Sequence, residues 1–529
     1  MTYDAIIVGG GVAGLTAAAY LTKAGRSVLL IEKQEKCGGL VNSFERNGFI
    51  YDGGIRATEN AGALFPMLKR LGLDLEFVKN KVSMGIEGNV IRVLDQSAVD
   101  DYGKLLGDFF PESRADISAI IEDIRKIMGY MGVQYGIDNP LFLDIKEDRA
   151  YFLREVFPWM FKYIKTVGKI MALNQPVEEY LKGFTQNPAL LDIISQHFFT
   201  ATPAFFALSY ISLYLDYYYP KGGTGNLISQ LVDFIQSHGG EIKTNTEITK
   251  IDLEGRMVAD QAGHIFAYNQ LLWAADQKSL YRNAVANPDT AKKTSDAIIE
   301  MRERLSQLKG NNSVFTIFAA SNLPPRFFSD IATEHFFYTP VAKGQSQAGP
   351  LPLEGNWAEI SSWLEEFLGL TTYEISIPVL RDASLAPEGK TGLVISLLFD
   401  YRLTRRIREI RRYEDFKQFM EARIPTILDD CIYPGLDTSL IERFSSSPLT
   451  METLTNNTDG AITGWAFTND FIPSENRLAR IANSVNTPLP NVLQAGQWTF
   501  SPSGFPISLI SGKLAADKIN KRLGKKKSA

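Results

Sequence analysis

Cysteine is nearly absent. Cys37 and Cys431 cannot build a disulfide framework, and no C-x-x-C or Cys/His cluster exists to hold a structural metal. A reducing, cytoplasmic compartment is the resulting expectation. Histidine is scarce too. His197, His238, His264 and His335 are never spaced with Asp, Glu or Cys as a ligand set, so no metal is expected. Long apolar runs are also missing. An uncharged, largely apolar stretch, residues 5–22, is short for a membrane span, carries glycines in its middle and follows Asp4 rather than a basic segment. It reads as neither a transmembrane helix nor a secretory signal. Positive charge is not in excess: 55 Lys+Arg against 60 Asp+Glu give a formal net charge of −5, which provides no global attraction for nucleic acid.

What is present is a chain of 529 residues, 45% hydrophobic and 22% charged, long enough for several domains around sizeable cores. Aromatics reach 11%, with 32 Phe and 21 Tyr, and hint at a large apolar cavity. Charge is unevenly placed. Lys518, Lys521, Arg522, Lys525, Lys526 and Lys527 fall in the last twelve residues, which hold no acid. Such a tail is either a solvated end or a contact for an anionic membrane surface. A second basic run, Arg402 to Arg412, has Leu403, Ile407 and Ile410 on one helical face, so its arginines project from the other.

The first 35 residues read strand, tight turn, helix, strand. Residues 3–8 read as a strand, apolar apart from Asp4, and Gly9-Gly10-Gly11-Val12-Ala13-Gly14 satisfies G-x-G-x-x-G. Gly9 makes the turn, Gly11 lets a pyrophosphate approach the backbone, and Gly14 lets helix and strand pack closely. The helix N-terminus then faces the phosphates. A second strand, residues 26–31, ends at Glu32, 18 residues beyond Gly14, where an acid accepts hydrogen bonds from ribose hydroxyls. This context makes the motif a dinucleotide site. Lys33 follows, then Gly38-Gly39-Leu40, which allows backbone contact with a second part of the cofactor. Asp52-Gly53-Gly54 closes the next short strand, ahead of Ile55 and Arg56.

This succession resembles the FAD-dependent oxidoreductases of the amine oxidase and phytoene desaturase superfamily. Thr246 to Ile251 is similar to the segment that packs on adenine there, with Ile248 supplying backbone contacts, and Leu271 to Asp276 is similar to the strand returning to the cofactor. The motif Ala495-Gly496-Gln497-Trp498 through Ser503-Gly504-Phe505-Pro506, with a helix over residues 507–519, resembles the flavin-binding C-terminus of the phytoene desaturase, carotenoid isomerase and retinol saturase branch. The resemblance implies an α/β fold. It has a Rossmann-type FAD-binding domain of the two-dinucleotide-binding-domain kind, a mixed-sheet substrate domain and a helical insertion. FAD is the implied cofactor, bound by Gly9, Gly11, Ala13, Gly14, Glu32, Lys33, Gly38, Gly39, Leu40, Gly54, Ile55, Ile248, Gly496, Gly504, Phe505 and Pro506. The helix after Gly504 would present its positive end to the flavin.

The expected division is 1–104 for the first FAD-binding part, 105–220 for the helical, membrane-facing insertion, 221–290 for the second FAD-binding part, 291–475 for the substrate domain and 476–529 for the C-terminal FAD-binding part with the basic tail. The insertion ends in an aromatic run, residues 198–219, which suits either an ordinary core or the wall of a lipid tunnel. The implied activity is desaturation, saturation or isomerisation of a long apolar polyene, isoprenoid or lipid. Its electron partner stays open, and peripheral contact with a membrane is allowed. The alternatives are a flavin amine oxidase and a non-catalytic lipid escort on the same scaffold. Arg56 is the catalytic candidate: it either stabilises anionic reduced flavin, pairs with a substrate carboxylate, or forms a structural ion pair with an acid such as Glu59. His335, alternating along a strand, is a further cavity candidate.

Overall fold

The computed structural model describes residues 2–286 and 290–524. Apolar strands with no polar alternation need cover on both faces, and the first strand illustrates this: Ala5, Ile6 and Ile7 are fully buried. Thr2–Val8 is central to a sheet in which Glu241–Lys243, Val28–Ile31, Thr2–Val8 and Ile265–Trp273 run parallel. Val492–Gln494 joins the far half of Ile265–Trp273, and an antiparallel extension (Met257–Asp260, Ile248–Asp252) takes the near half. Helix Val12–Lys23 buries nearly its whole surface between this sheet and helix Phe505–Leu523. Small residues permit that approach: a Cβ on Gly512 would lie 2.4 Å from the Ala13 carbonyl oxygen.

A second, seven-stranded sheet has the order Leu440–Ser446, Ser313–Ser321, Thr391–Phe399, Tyr373–Ser376, His335–Thr339, Val82–Ile86, Asn89–Val93. Its outer face packs on helices Trp357–Leu370 and Tyr413–Cys431. The last two strands lie within the segment 1–104 expected to serve nucleotide binding. Val82–Ile86 is buried along its whole length and pairs parallel with His335–Thr339, so this piece belongs by packing to the second sheet. Helices Ala98–Phe109, Arg114–Tyr135 and the shorter ones up to Tyr214 share a separate core with it. A small three-stranded sheet, Thr58–Glu59, Tyr217–Pro220 and Phe77–Lys79, ties the end of this helical segment back to the N-terminal part. The C-terminal helix starts at Phe505, two residues before its expected start, with Pro506 in its first turn. Among the described residues no helix is long and apolar enough to cross a membrane. In the tail, Lys518 is held by Asn486 and Arg522 by Gln270, while Lys525, Lys526 and Lys527 lie outside the described residues.

Candidate cofactor and substrate site

A cavity of about 1500 Å³ runs between the two sheets. Its first half is built from the ends of the parallel strands and the turns after them. Every expected cofactor residue lines it except Gly14 and Pro506. Those two act from behind. A Cβ on Gly14 would lie 2.0 Å from the Gly9 carbonyl oxygen, so glycine is what lets the helix start against the strand. Pro506 occupies the first turn of its helix, where no N–H is needed.

The cavity suits FAD on two grounds. First, two helices begin at its wall without a side-chain cap: Val12–Lys23 after Gly11 and Phe505–Leu523 after Gly504. Their first N–H groups and positive dipole ends are left for an anionic partner. Second, close approach is available where a dinucleotide needs it. Gly11 lines the cavity, and a Cβ there would meet no protein atom within 4 Å. Gly9 (φ +110°) and Gly496 (φ +98°) adopt backbone that L side chains rarely take. The residues present therefore fit FAD, and Gly9, Gly11, Gly54, Gly496 and Gly504 are among those that would hold it.

Glu32 does more than the sequence suggests. Its Oε2 accepts from the Gly10 N–H at 2.6 Å and its Oε1 from the Gln34 N–H at 2.9 Å, so it braces the glycine turn while keeping lone pairs for a ribose. Glu32→Ala is expected to weaken FAD binding by roughly 1.5–3 kcal/mol, the usual worth of hydrogen bonds to a charged group. Titration of apoprotein with FAD checks this, and unchanged affinity would remove Glu32 from the site. Lys33 turns outward and donates from Nζ to the Thr453 carbonyl at 3.2 Å. The Ile248 carbonyl accepts from Asn283. The Cys37 thiol is pushed up to about 12 by burial and by Glu32, which keeps it protonated and a poor nucleophile.

Past Gly54 the wall becomes charged. Arg56 is 8% exposed; both Nη atoms have partners, while Nε is buried without one. Nη1 donates to the Gly54 carbonyl at 2.7 Å and lies 3.7 Å from Glu374; Nη2 donates to Ser396 at 2.5 Å and Thr316 at 3.4 Å. Its acidic partner is thus Glu374, where the structural reading had named an acid such as Glu59. The reason is strand pairing: Tyr373–Ser376 and Thr391–Phe399 are neighbours and bring Glu374 and Ser396 to one register position. Glu374 also accepts from His335 Nε2 at 3.0 Å. Burial drives the Glu374 carboxyl up, but Arg56, then His335 and Arg381, outweigh it and hold the pKa near about 2. His335 is pushed down by burial despite that carboxylate, with Arg381 and Arg56 adding to the fall. Glu374 carried no motif signal; only the long-range pairing reveals it.

The arginines of residues 402–412 stand apart from the cavity. Arg402 pairs with Asp400, Arg405 with Glu409 and Arg412 with Asp415, as on a solvated helix face.

Known proteins agree with a flavin site on this scaffold. The family described as flavin containing amine oxidoreductase matches residues 12–281, which begins just after Gly11 and spans the Gly38–Arg56 wall and the Ile248 strand. Chloroplastic prolycopene isomerase of Arabidopsis thaliana is 24% identical over 468 residues, covering 85% of this chain and 72% of its own. All-trans-retinol 13,14-reductase of Rattus norvegicus is 23% identical over 580 residues, covering 98% and 86%. Cyclohexylamine oxidase from Brevibacterium oxydans has the same fold, with a TM-score of 0.60 at 13% identity over 99% of this chain and 100% of its own. With a dinucleotide cradle, two uncapped helix starts and a family match over half its length, the chain belongs to the flavin containing amine oxidoreductase family and is an FAD-dependent oxidoreductase.

Proposed function

We propose that this enzyme transfers hydrogen at a C–C or C=C bond of an elongated polyene, isoprenoid or lipid. The observation that carries the reading is the half of the cavity beyond Arg56. Its wall is aromatic and aliphatic, with Phe199, Phe206, Tyr210, Val314 and Ile462. These same residues border an adjoining pocket of about 100 Å³, which extends the apolar path toward Phe198 and Phe337. A long apolar rod threaded from there reaches the charged wall at Arg56. The names of two relatives, an isomerase of prolycopene and a reductase of all-trans-retinol, point to the same substrate class. FAD, when bound, supplies the two-electron chemistry. The chain orients the double bond, keeps water out with the aromatic wall, and holds Arg56 as a fixed cation whose charge Glu374 balances.

The test is anaerobic incubation of reduced and oxidised holoenzyme with retinoids and carotenoids, followed by mass analysis. Gain of two hydrogens identifies a reductase, loss of two a desaturase, and an unchanged mass with altered retention an isomerase. No turnover of any polyene, together with hydrogen peroxide release on amines, would replace this reading by an amine oxidase. Protein lacking flavin absorption bands would replace it by a carrier.

A second observation supports a peripheral contact with an anionic bilayer. Along residues 153–171, Leu153, Phe157, Phe161, Ile164 and Met171 are all more than half exposed and recur at helical spacing. Arg154, Lys162 and Lys165 on the same segment are exposed beside them. Apolar residues at this density, flanked by cations, suit the headgroup boundary and a substrate stored in the bilayer. Phe157→Ser/Phe161→Ser is expected to lower binding to phosphatidylserine-containing vesicles at least tenfold in a sedimentation assay, with flavin content unchanged. Equal binding by both proteins would assign this face to something else.

A further inference from the structure

Two carboxyl groups face the same cavity in opposite electrostatic settings. Glu374 is fixed by Arg56 and His335. Glu59 ends the short strand Thr58–Glu59, opposite Tyr217, and lines the cavity three residues beyond Arg56. Among the described residues it forms no ion pair and no side-chain hydrogen bond with another residue. The groups facing it from neighbouring elements are Tyr217 and Tyr210, whose hydroxyls lie 3.4 Å apart, Tyr135 from helix Arg114–Tyr135, and the Asp216 carboxylate, which accepts from the Ala61 N–H. Burial raises all three phenols, so they stay neutral hydroxyls. Lys79 offsets Asp216 and makes no ion pair with Glu59. Burial is also the main cause of the Glu59 shift; its own backbone amide opposes it, Asp216 adds to it, and the pKa settles at about 7. Carboxyls whose surroundings drive them apart in this way divide into a permanent anion and a group that exchanges its proton near neutral pH.

We propose that Glu59 is the proton-transfer residue of this enzyme, giving a proton to, and taking one from, a carbon of the bound polyene. The inference rests on the polyene reading above. In the reducing direction the Glu59 O–H bond breaks and a C–H bond forms at one carbon of the double bond. The neighbouring carbon would take the hydride equivalent that FAD supplies when bound and reduced, and water reprotonates the carboxylate. Desaturation runs the same bonds in reverse. In isomerisation the proton adds and leaves again, with no electrons exchanged. Tyr217 and Tyr210 border the path without competing for the proton.

Holoenzyme carrying Glu59→Gln, matched to wild type for flavin absorbance, tests the idea. Infrared titration of the wild type is expected to show a protonated carboxyl band that fades as pH rises through about 7, and that band should be absent from the variant. In D₂O the wild-type product should acquire solvent deuterium. The variant should turn over roughly 10²–10⁴-fold more slowly and lose the alkaline limb of the rate profile, with Glu59→Asp recovering part of the rate. Wild-type turnover with an unimpaired Glu59→Gln, or an unchanged infrared band in that variant, would overturn the assignment. Absence of turnover in the wild type would instead sink the polyene reading itself.

Discussion

Gly11→Ala should give a stable, folded protein that purifies without flavin. The two halves of that result have separate causes. Gly11 has φ −71° and ψ 174°, which any residue adopts, and a Cβ there would touch no protein atom. The fold therefore has no reason to object. The methyl would instead project into the cavity beside the first uncapped N–H groups of helix Val12–Lys23, where the pyrophosphate must come within hydrogen-bond distance of the backbone. Gly14→Ala should behave differently. Its Cβ would lie 2.0 Å from the Gly9 oxygen and 3.3 Å from the Ala274 side chain, so helix and strand must move apart. Overpacking of this kind costs roughly 1–3 kcal/mol and should lower the melting temperature even of apoprotein. Flavin absorbance and thermal unfolding read both variants. A fully flavinylated Gly11→Ala would place the phosphates elsewhere, and a Gly14→Ala apoprotein as stable as wild type would remove the packing argument.

The contrast between these glycines also explains what the sequence reveals. A strand–turn–helix unit is specified by residues within a short span, so Gly9, Gly11 and Glu32 at the cavity, and Gly14 behind it, are legible from spacing. Gly38 to Leu40, Gly496, Gly504 and Phe505 are legible through resemblance, and they too line the cavity. Glu374 is legible in neither way. It meets Arg56 from more than 300 residues along the chain, beside the Ser396 hydroxyl that the same guanidinium reaches, and a contact across such a distance leaves no local signature. The membership of Val82–Ile86 in the second sheet was hidden for the same reason. Its partner strand begins at His335, some 250 residues away, and a uniformly apolar strand does not advertise which sheet it joins. Glu59 stands out in the sequence only as one acid near Arg56 that an ion pair could use. In the structure that cation is already taken, and the solitary carboxyl is the more informative outcome.

Arg56→Met should cost about 3–5 kcal/mol of stability at neutral pH, because it leaves a charge of a largely buried pair uncompensated. Glu374 would keep only His335 and the more distant Arg381. The pH dependence follows from the sign of the shift. A carboxyl held well below its unfolded pKa contributes stability above that value, near pH 4.5, and loses it as pH falls toward 2. Removing Arg56 shrinks this contribution, so the gap between wild type and variant should be widest above pH 4.5 and narrow on acidification. Denaturant melts at several pH values measure it. Adding Glu374→Gln to Arg56→Met should recover most of the loss, since neither charge then remains. The same pair of variants addresses the flavin. We propose that Arg56 acts on the cofactor as one half of a neutral pair. The single variant, with its uncompensated carboxylate charge, should lower the reduction potential, and the double variant should return it toward wild type. Occupied Nη1 and Nη2 leave little of the guanidinium to clamp a substrate carboxylate, so KM for acidic and neutral polyenes should change alike. A stability and a potential that both stay at wild-type values in Arg56→Met would mean that the pair contributes to neither folding nor flavin.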